Sequence, residues 1–412
     1  MRVLIISQYF WPEGFIINDL VGLLALRGVQ VSVLTGKPNY PDGVVFEGYR
    51  ASGVQRQTYK GIPVMRIPIL ARGRRSSIRL ALNYLSFILS GVLFGPRLLR
   101  GCAFDLVFVY APSPLLQALP AMWFARRRRV PLMVWVQDLW PESLEATGYV
   151  RNRWALALVA LIVRRIYRAC ARILVPSRAF VAPVATLSDD PAKIRYFPNL
   201  YQPVGTQRTS SQAAELVGML SGYFAVVFAG NLGTAQSLDT LVKAAQLLLP
   251  YPSLRIVLVG SGSQDDWLAA QRQALGLTNL VLAGRYDPCD MPAIFDAAQA
   301  LLVSLRADPA FSVTIPSKVQ AYLAAGRPIL ASIDGEGSRI VQEAEAGLCS
   351  AAGDATALAL NIRALQAMTP SERMEMGMRG RRYFEQQFEP EALADQLVEH
   401  FKELVSGWEK KA

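Results

Sequence analysis

Short apolar runs recur along this chain at intervals that suit a parallel sheet, and each is followed by residues with helical spacing. Residues 2–7 (RVLIIS) are apolar enough to be buried on both faces of a sheet. A turn at 8–14 (QYFWPEG) leads into a helix predicted over about 15–27, stopped by Gly28, and residues 30–35 give the next strand. A βαβ unit at this position predicts an open parallel sheet. Further strands are expected at 104–110, 132–136, 172–176 and 194–197. Residues 198–214 lose periodicity and collect Pro, Gly, Thr, Ser and Gln, which reads as a linker. Beyond it, apolar runs at 223–229, 254–260, 280–283, 300–304 and 329–333 restart the alternation. The pattern predicts an α/β chain of two parallel-sheet domains, residues 1–200 and 215–385, with an amphipathic segment at about 390–412 crossing back onto the first.

One helical stretch breaks the usual rule of a broad polar face. Between Arg72 and Arg100, the residues Arg79, Asn83, Ser86 and Ser90 form a single narrow polar stripe, and the rest is largely apolar. Arginines gather at both ends: Arg72, Arg74 and Arg75, then Arg97 and Arg100. Its apolar part is shorter than the roughly 20 residues that span a bilayer. Two placements fit, a helix lying in a membrane interface and a core helix with its stripe in water. Residues 151–170 (Arg151 to Cys170) predict a second helix, apolar early and basic late.

Charge favours the interface. Residues 1–200 hold 26 Lys and Arg against 10 Asp and Glu, a net of +16, while the remainder holds 17 against 22, a net of −5. No acid occurs between Glu47 and Asp105, while ten Lys and Arg do. Such a half-chain seeks an anionic partner, acidic lipid or nucleic acid, and each base near an anionic bilayer contributes ~1 kcal/mol. The apolar fraction of 52% and mean hydropathy of +0.24 argue against disorder. The first strand shows no basic leader or cleavage site, so no secretory signal is expected. Cys102, Cys170, Cys289 and Cys349 are scattered, which suits a reducing compartment and argues against zinc. His400 is the only histidine, so a histidine triad or multi-histidine metal site is excluded by count.

Candidate chemistry sits where strands end. Residues 36–43 (GKPNYPDG) form an ordered loop whose Lys37, Asn39 and Tyr40 suit sugar contact, or serve only the turn. The strand at 132–136 delivers Gln137 and Asp138 beside Trp135 and Trp140. In the second half, GNLGTAQS (230–237), GSGSQ (260–264) and GRYD (284–287) are three glycine turns on one sheet, followed by DGEG at 334–337. The stretch TIPSKVQAYLAAGRP (314–328) predicts a helix with Pro316 first and Gly326 as its stop. Its start presents free N–H groups, Ser317 and Lys318, which fits either the seat of a diphosphate or an ordinary helix with an exposed lysine. The first turn lacks G-x-G-x-x-G, against a nicotinamide oxidoreductase.

Taken with TGKPNYPDG, GYR, WVQDLWPES, AGNLGTAQSL, GRY, IPSKVQAYLAAGRPI and the DGE loop, the chain resembles family 4 glycosyltransferases of the GT-B architecture over nearly its whole length. The motifs are most similar to the fucosamine-type transferases of bacterial O-antigen and polysaccharide assembly. The resemblance implies two Rossmann-like domains facing an interdomain cleft. It implies retaining, metal-independent transfer from a nucleotide-sugar donor, with a lean to UDP and an N-acetylated hexosamine or deoxyhexosamine. It also implies a polyprenyl-diphosphate-linked acceptor at the cytoplasmic face of the bacterial inner membrane, with no cofactor, no metal and no nucleic acid. Ser317 and Lys318 are then diphosphate contacts, with Gly230, Asn231 and Gly233 as a second cradle. Gly14, Gly260 and Gly262 belong to the donor site, Arg285 stands at the base, and Glu336 receives hydroxyls. Asp138 faces the reacting sugar with Gln137, and Lys37, Asn39 and Tyr40 fall on the acceptor side. The chain departs from many relatives at Val313 and Ala321, where they carry glutamates, and at Asn231 and Gln236, where they carry bases. Glu13-Gly14 replaces a common Gly-Gly. A GT-B-shaped sugar-nucleotide epimerase or a non-enzymatic anion-binding protein are the other classes weighed.

Overall fold

The computed structural model describes residues 1–73, 76–146, 152–203, 205 and 209–409; Arg74, Arg75 and Arg151 lie outside the described residues. The chain divides into two compact units, residues 1–200 with 390–412, and residues 201–389.

The first unit runs β1 (Arg2–Ile6), α1 (Ile17–Leu26), β2 (Gln30–Gly36), β3 (Gln55–Tyr59), β4 (Ile62–Ile67), α2 (Ser77–Leu98), β5 (Leu106–Ala111), α3 (Ala118–Arg128), β6 (Leu132–Val136), α4 (Glu142–Ala146), α5 (Arg153–Ala169), β7 (Arg172–Val175), α6 (Val181–Leu187) and β8 (Ile194–Tyr196). Its eight strands lie in the order β3-β4-β2-β1-β5-β6-β7-β8. All neighbours are parallel except β3, which pairs antiparallel with β4. Right-handed crossovers put α1 on one face and α2, α3 and α5 on the other. The edge pair β3 and β4 lies where the sequence pattern gave no strands. Its outer member, QRQTY, alternates half-buried and exposed without an apolar face.

The second unit runs α7 (Ser211–Ser221), β9 (Phe224–Ala229), α8 (Leu238–Leu247), β10 (Leu254–Val259), α9 (Asp265–Ala274), β11 (Leu280–Gly284), α10 (Met291–Ala297), β12 (Ala300–Ser304), α11 (Pro309–Ser312), α12 (Ser317–Ala325), β13 (Ile329–Ser332), α13 (Glu336–Glu343), β14 (Gly347–Ser350), α14 (Ala355–Ala367) and α15 (Pro370–Gln387). Its parallel order is β11-β10-β9-β12-β13-β14. Part of the stretch read as a linker is α7. Ser210 caps it and is held by both oxygens of Asp290, at 2.9 Å each. The last helix, α16 (Pro390–Glu409), belongs to the first unit. Leu393, Ala394, Leu397 and Phe401 enter the core under α1, and Arg27, which caps α1, pairs with Glu391 and Asp395.

Helix α2 is turned opposite to the core placement considered from its pattern. Apart from the exposed Arg79, its polar stripe faces the protein. Asn83 is fully buried, its amide donating to the Leu70 carbonyl at 2.6 Å while its oxygen accepts from Gln8 Nε2 at 2.6 Å. Ser86 Oγ accepts from the Leu70 N–H at 3.0 Å. Gly91 and Gly95 continue that inner face: a Cβ on them would sit 2.9 Å from Pro120 and 2.5 Å from Phe124, so only glycine lets α3 approach. Ile78, Leu82, Leu85, Leu89 and Leu93 point outward, between 45% and 74% exposed. At 22 residues α2 is long and apolar enough to cross a bilayer, but its inner side is committed to the sheet.

The two sides of α2 therefore answer mutation in reverse of the usual order. Asn83→Leu leaves Gln8 Nε2 and the Leu70 carbonyl unpaired inside, and is expected to cost about 2–4 kcal/mol. Leu89→Gln is expected to change stability by no more than about 0.5 kcal/mol. Urea unfolding of both variants checks this, and equal losses would count against the assigned rotation of the helix.

Candidate active site

In the second sheet the strand order reverses between β9 and β12, and a ligand crevice forms at such a switch point. The elements ending there are β9, with its turn 230–237, and α12, which follows β12. Helix α12 begins at Ser317, with Pro316 as its extended N-cap rather than its first helical residue, and Gly326 closes it with φ 66°. Ser317 and Lys318 have helical backbone but no i−4 carbonyl to bond, so their N–H groups carry no protein acceptor among the described residues.

Lys318 crosses from α12 to the β9 turn. Its Nζ donates to Gln236 Oε1 and lies 4.0 Å above the ring of Phe228. A Cβ on Gly230 would stand 2.5 Å from Lys318 Cε, which a flexible lysine could relieve by shifting; the φ of 142° is what favours glycine there. Tyr322, one turn further on, fixes the helix to β9 through its hydroxyl and the Ala229 N–H at 3.0 Å. Burial lowers the ammonium from its usual 10.5 to about 8.

The glycine turns divide into two kinds. Asn231 is exposed and Gly233 is not, and neither N–H has a protein acceptor among the described residues. Gly260 and Gly262 serve the packing of loop on loop. The Gly260 N–H donates to the Gly284 carbonyl at 2.7 Å and that of Gly262 to Asp265 at 2.9 Å. A Cβ on either would strike the backbone of the β9 turn. These two residues shape the cradle instead of lining it. Arg285 is exposed at the end of β11. Glu336 is buried at the start of α13, bonded to Arg339 at 2.9 Å. A side chain on Gly335 would strike the Ser312 carbonyl.

In the first unit the order reverses between β1 and β5, and the residues singled out there gather at the carboxyl ends of β1, β2 and β6. Glu13 organises them, a role that its place in the sequence did not announce. It is 2% exposed, and its carboxylate accepts the N–H groups of Asn39 and Tyr40 at 2.8 Å each and of Phe10 at 3.2 Å. Burial raises its pKa, opposed by those hydrogen bonds. Beneath it, the fully buried Arg66 donates to the carbonyls of Gly36 and Trp11.

Lys37 and Asn39, expected on the acceptor side, are turned inward instead. Lys37 is buried with its ammonium on Gln55 at 3.0 Å, and burial lowers its pKa. Asn39 bonds the Lys37 carbonyl and the Arg72 N–H. The loop spends both on its own shape. Tyr40 stays partly exposed and packs with Tyr9, Phe15 and Arg72. Gly14 is exposed, and a Cβ added there would meet nothing within 4 Å. Asp138 is likewise occupied, accepting from Trp140 Nε1 at 3.0 Å and from Ser143 Oγ, so its carboxylate holds the 138–143 turn. Among the described residues, three side-chain polar atoms at this edge are buried without a partner, Gln8 Oε1, the Tyr9 hydroxyl and Gln137 Nε2. Buried polar groups are rarely left so, and these three are the candidates to meet a ligand.

Two Rossmann-like units in one chain, one with an ammonium and open amides at its switch point, define a transferase of the GT-B type. The chain is a glycosyltransferase: residues 14–200 match the glycosyl transferase 4-like domain and residues 223–367 match the glycosyl transferases group 1 domain. It is 22% identical over 344 residues to WcaI of Escherichia coli (strain K12), named as a glycosyl transferase of colanic acid biosynthesis, covering 79% of this chain and 82% of that one. It is 25% identical over 253 residues to the glycosyltransferase WbjE of Pseudomonas aeruginosa, covering 60% and 62%. Among solved structures, sucrose-phosphate synthase from Thermosynechococcus elongatus shares the fold at a TM-score of 0.72 and 18% identity, over 98% of this chain and 99% of that one. Anabaena HepE in complex with UDP-glucose does so at 0.66 and 16%, over 98% and 100%.

The lowered ammonium sets a testable sign. Between about 8 and 10.5 the unfolded state binds the proton and the folded state does not, so stability rises with pH across that window. Below it the charged form is penalised in full. Lys318→Met is therefore expected to be more stable than wild type at pH 7, by on the order of 2–3 kcal/mol, with the advantage shrinking as pH rises toward 10. Urea unfolding at pH 7 and 9.5 reads this directly; a pH-independent difference would refute it.

Proposed function

We propose that the protein is a retaining, metal-independent glycosyltransferase using a UDP-linked sugar, an N-acetylated hexosamine or deoxyhexosamine. Its acceptor is a polyprenyl-diphosphate-linked saccharide of cell-surface polysaccharide assembly, met at the cytoplasmic face of the bacterial inner membrane. The observation that carries the reading is the Lys318 ammonium lying over the Gly230 turn, beside the unpartnered N–H groups of Asn231, Gly233, Ser317 and Lys318. Fixed donors and one cation in a desolvated place suit a leaving diphosphate. The complex of HepE with UDP-glucose and the colanic acid role in the name of WcaI support the donor and pathway class.

In the reaction the acceptor oxygen bonds to the anomeric carbon as the bond from that carbon to the diphosphate oxygen breaks. The attack comes on the face the diphosphate leaves. The acceptor proton passes to a phosphate oxygen, and the electron pair of the broken bond stays with UDP. Lys318 and the amides stabilise that growing charge. Asp138 keeps the 138–143 turn in shape, and Gln137, with its free amide N–H, is the better group to orient a hydroxyl. The outward leucines of α2 and the charge of residues 1–200 support peripheral attachment to an anionic bilayer.

Titration with UDP and a panel of UDP-sugars, followed by turnover with a polyprenyl-diphosphate acceptor, tests the reading. Lys318→Met is expected to weaken UDP binding at least 10-fold and to lower turnover by about 10²–10³-fold. The product should carry the anomeric configuration of the donor by NMR, and EDTA should leave the rate unchanged. Normal UDP affinity in the variant, an inverted product, or loss of activity with EDTA would each overturn part of it.

A further inference from the structure

A groove of about 980 Å³ runs between α3 and α5 on the sheet face that also carries α2. Its floor is apolar, with Leu119, Met122 and Ile162. Its rim is five arginines: Arg126, Arg129, Arg164, Arg165 and Arg168. Trp408 of α16 closes the wall, its indole N–H donating to the Arg129 carbonyl at 2.8 Å.

The arginines converge for a reason built into the topology. Strands β5, β6 and β7 are parallel, so α3 and α5 both return from the carboxyl edge of the sheet to its amino edge. Both helices end in basic residues, so both basic ends arrive at that same edge. The helix C-termini offset part of the charge. No side chain completes the balance: α2, α3 and α5 contain no Asp or Glu, and none of the five rim arginines forms an ion pair among the described residues. All five are exposed.

We propose that this groove binds the phosphate headgroup of an anionic phospholipid while the lipid is still in its bilayer. Guanidinium forks match phosphate oxygens in pairs. The apolar floor, which a free anion or a nucleic-acid backbone would leave wet, receives the glycerol and first acyl carbons. Beside the groove, Trp154, Leu158 and Leu161 lie along one face of α5 at spacings of four and three and are more than half exposed, ready for the same interface. The groove opens at the amino edge of the strands, away from Gln137 and the loops of the proposed acceptor side, so lipid there need not compete with substrate. The proposal rests on the reading of a bilayer-bound enzyme and adds a defined headgroup site to it.

Flotation of the full chain with vesicles of phosphatidylcholine alone, and with 30 mol% phosphatidylglycerol, tests it. Two double variants of equal charge are compared, Arg126→Gln/Arg165→Gln in the groove and Lys60→Gln/Arg195→Gln outside it. The groove variant is expected to lose about 30-fold in affinity for the phosphatidylglycerol vesicles, from two bases near the surface. The outside variant should lose less than 3-fold, and both should keep wild-type affinity for UDP. Equal losses in the two variants would mean diffuse attraction and would overturn the site, as would no loss in either. Full release of wild type by millimolar inorganic phosphate at constant ionic strength would reassign the groove to a free anion. A wild-type dimer in light scattering that the groove variant turns into monomer would reassign it to a second copy of the chain. Wild type failing to float with either vesicle would remove the bilayer reading itself, whereas normal wild-type flotation with an unaffected groove variant removes only the headgroup site.

Discussion

The chemistry proposed for the second unit depends on one buried ammonium group set against a glycine turn at the sheet's switch point. Lys318 lies over Gly230, against the face of Phe228 and on the amide oxygen of Gln236. Its burial is costly, as the lowered pKa records. The segments around it pack closely, backbone on backbone. Tyr322 ties its helix to β9, Gly260 and Gly262 let the second turn lie directly under the first, and Gly335 lets the α13 loop close on Ser312. A cation held in a destabilised setting is one that an anion will stabilise strongly on arrival, which is how strain in the free protein becomes binding energy.

The first unit solves a different problem, that of building a loop-rich edge from buried polar residues, most of whose groups find partners. Glu13, Asn39, Asn83, Gln8 and Arg66 are all buried, and each is bonded to main chain from a neighbouring loop or to one another. The network joins the turn after β1, the loop after β2 and the inner face of α2 into one piece. It also explains the rotation of α2. The polar stripe is needed inside to complete the network, so the leucines are left outside. A helix that would otherwise face water with its polar side faces it with its apolar side, and the arginines at its ends suit the boundary between lipid and water.

Most of the fold was legible because parallel strands buried on both faces announce themselves as unbroken apolar runs. The strands at 2–6, 106–111, 132–136, 224–229 and 254–259 are of that kind. β3, β4 and β14 were not legible, since QRQTY has no apolar alternation, Pro63 and Arg66 interrupt the apolar run of β4, and GLCS is four residues long. The position of Lys318 was readable from a proline, a serine and a lysine at a helix start; its passage over Gly230 was not, because that contact joins residues 88 apart in sequence. The inward turn of Lys37 and Asn39 was hidden for the same reason. A loop of Gly, Pro, Asn and Lys looks equally suited to solvent and to burial, and what decides is Glu13, some 25 residues earlier, whose carboxylate takes the loop's N–H groups. The occupied carboxylate of Asp138 shows the converse error, in which a polar residue at a strand end looks free until its own turn is built.

The uneven charge of the chain follows from this division of labour. Chemistry at the carboxyl edges needs few net charges, because helix ends and main-chain amides provide most of the field. The amino edge and the α2 face of the first unit carry arginines that form no ion pair among the described residues, at positions away from the proposed site. A net of +16 in residues 1–200 is far more than folding requires, and self-repulsion at that level works against a compact state. Exposed guanidinium groups gathered in three helices without a single carboxylate raise the local positive potential and draw anions from outside the chain. The bilayer reading supplies those anions, and it accounts for the leucines of α2 with the same surface.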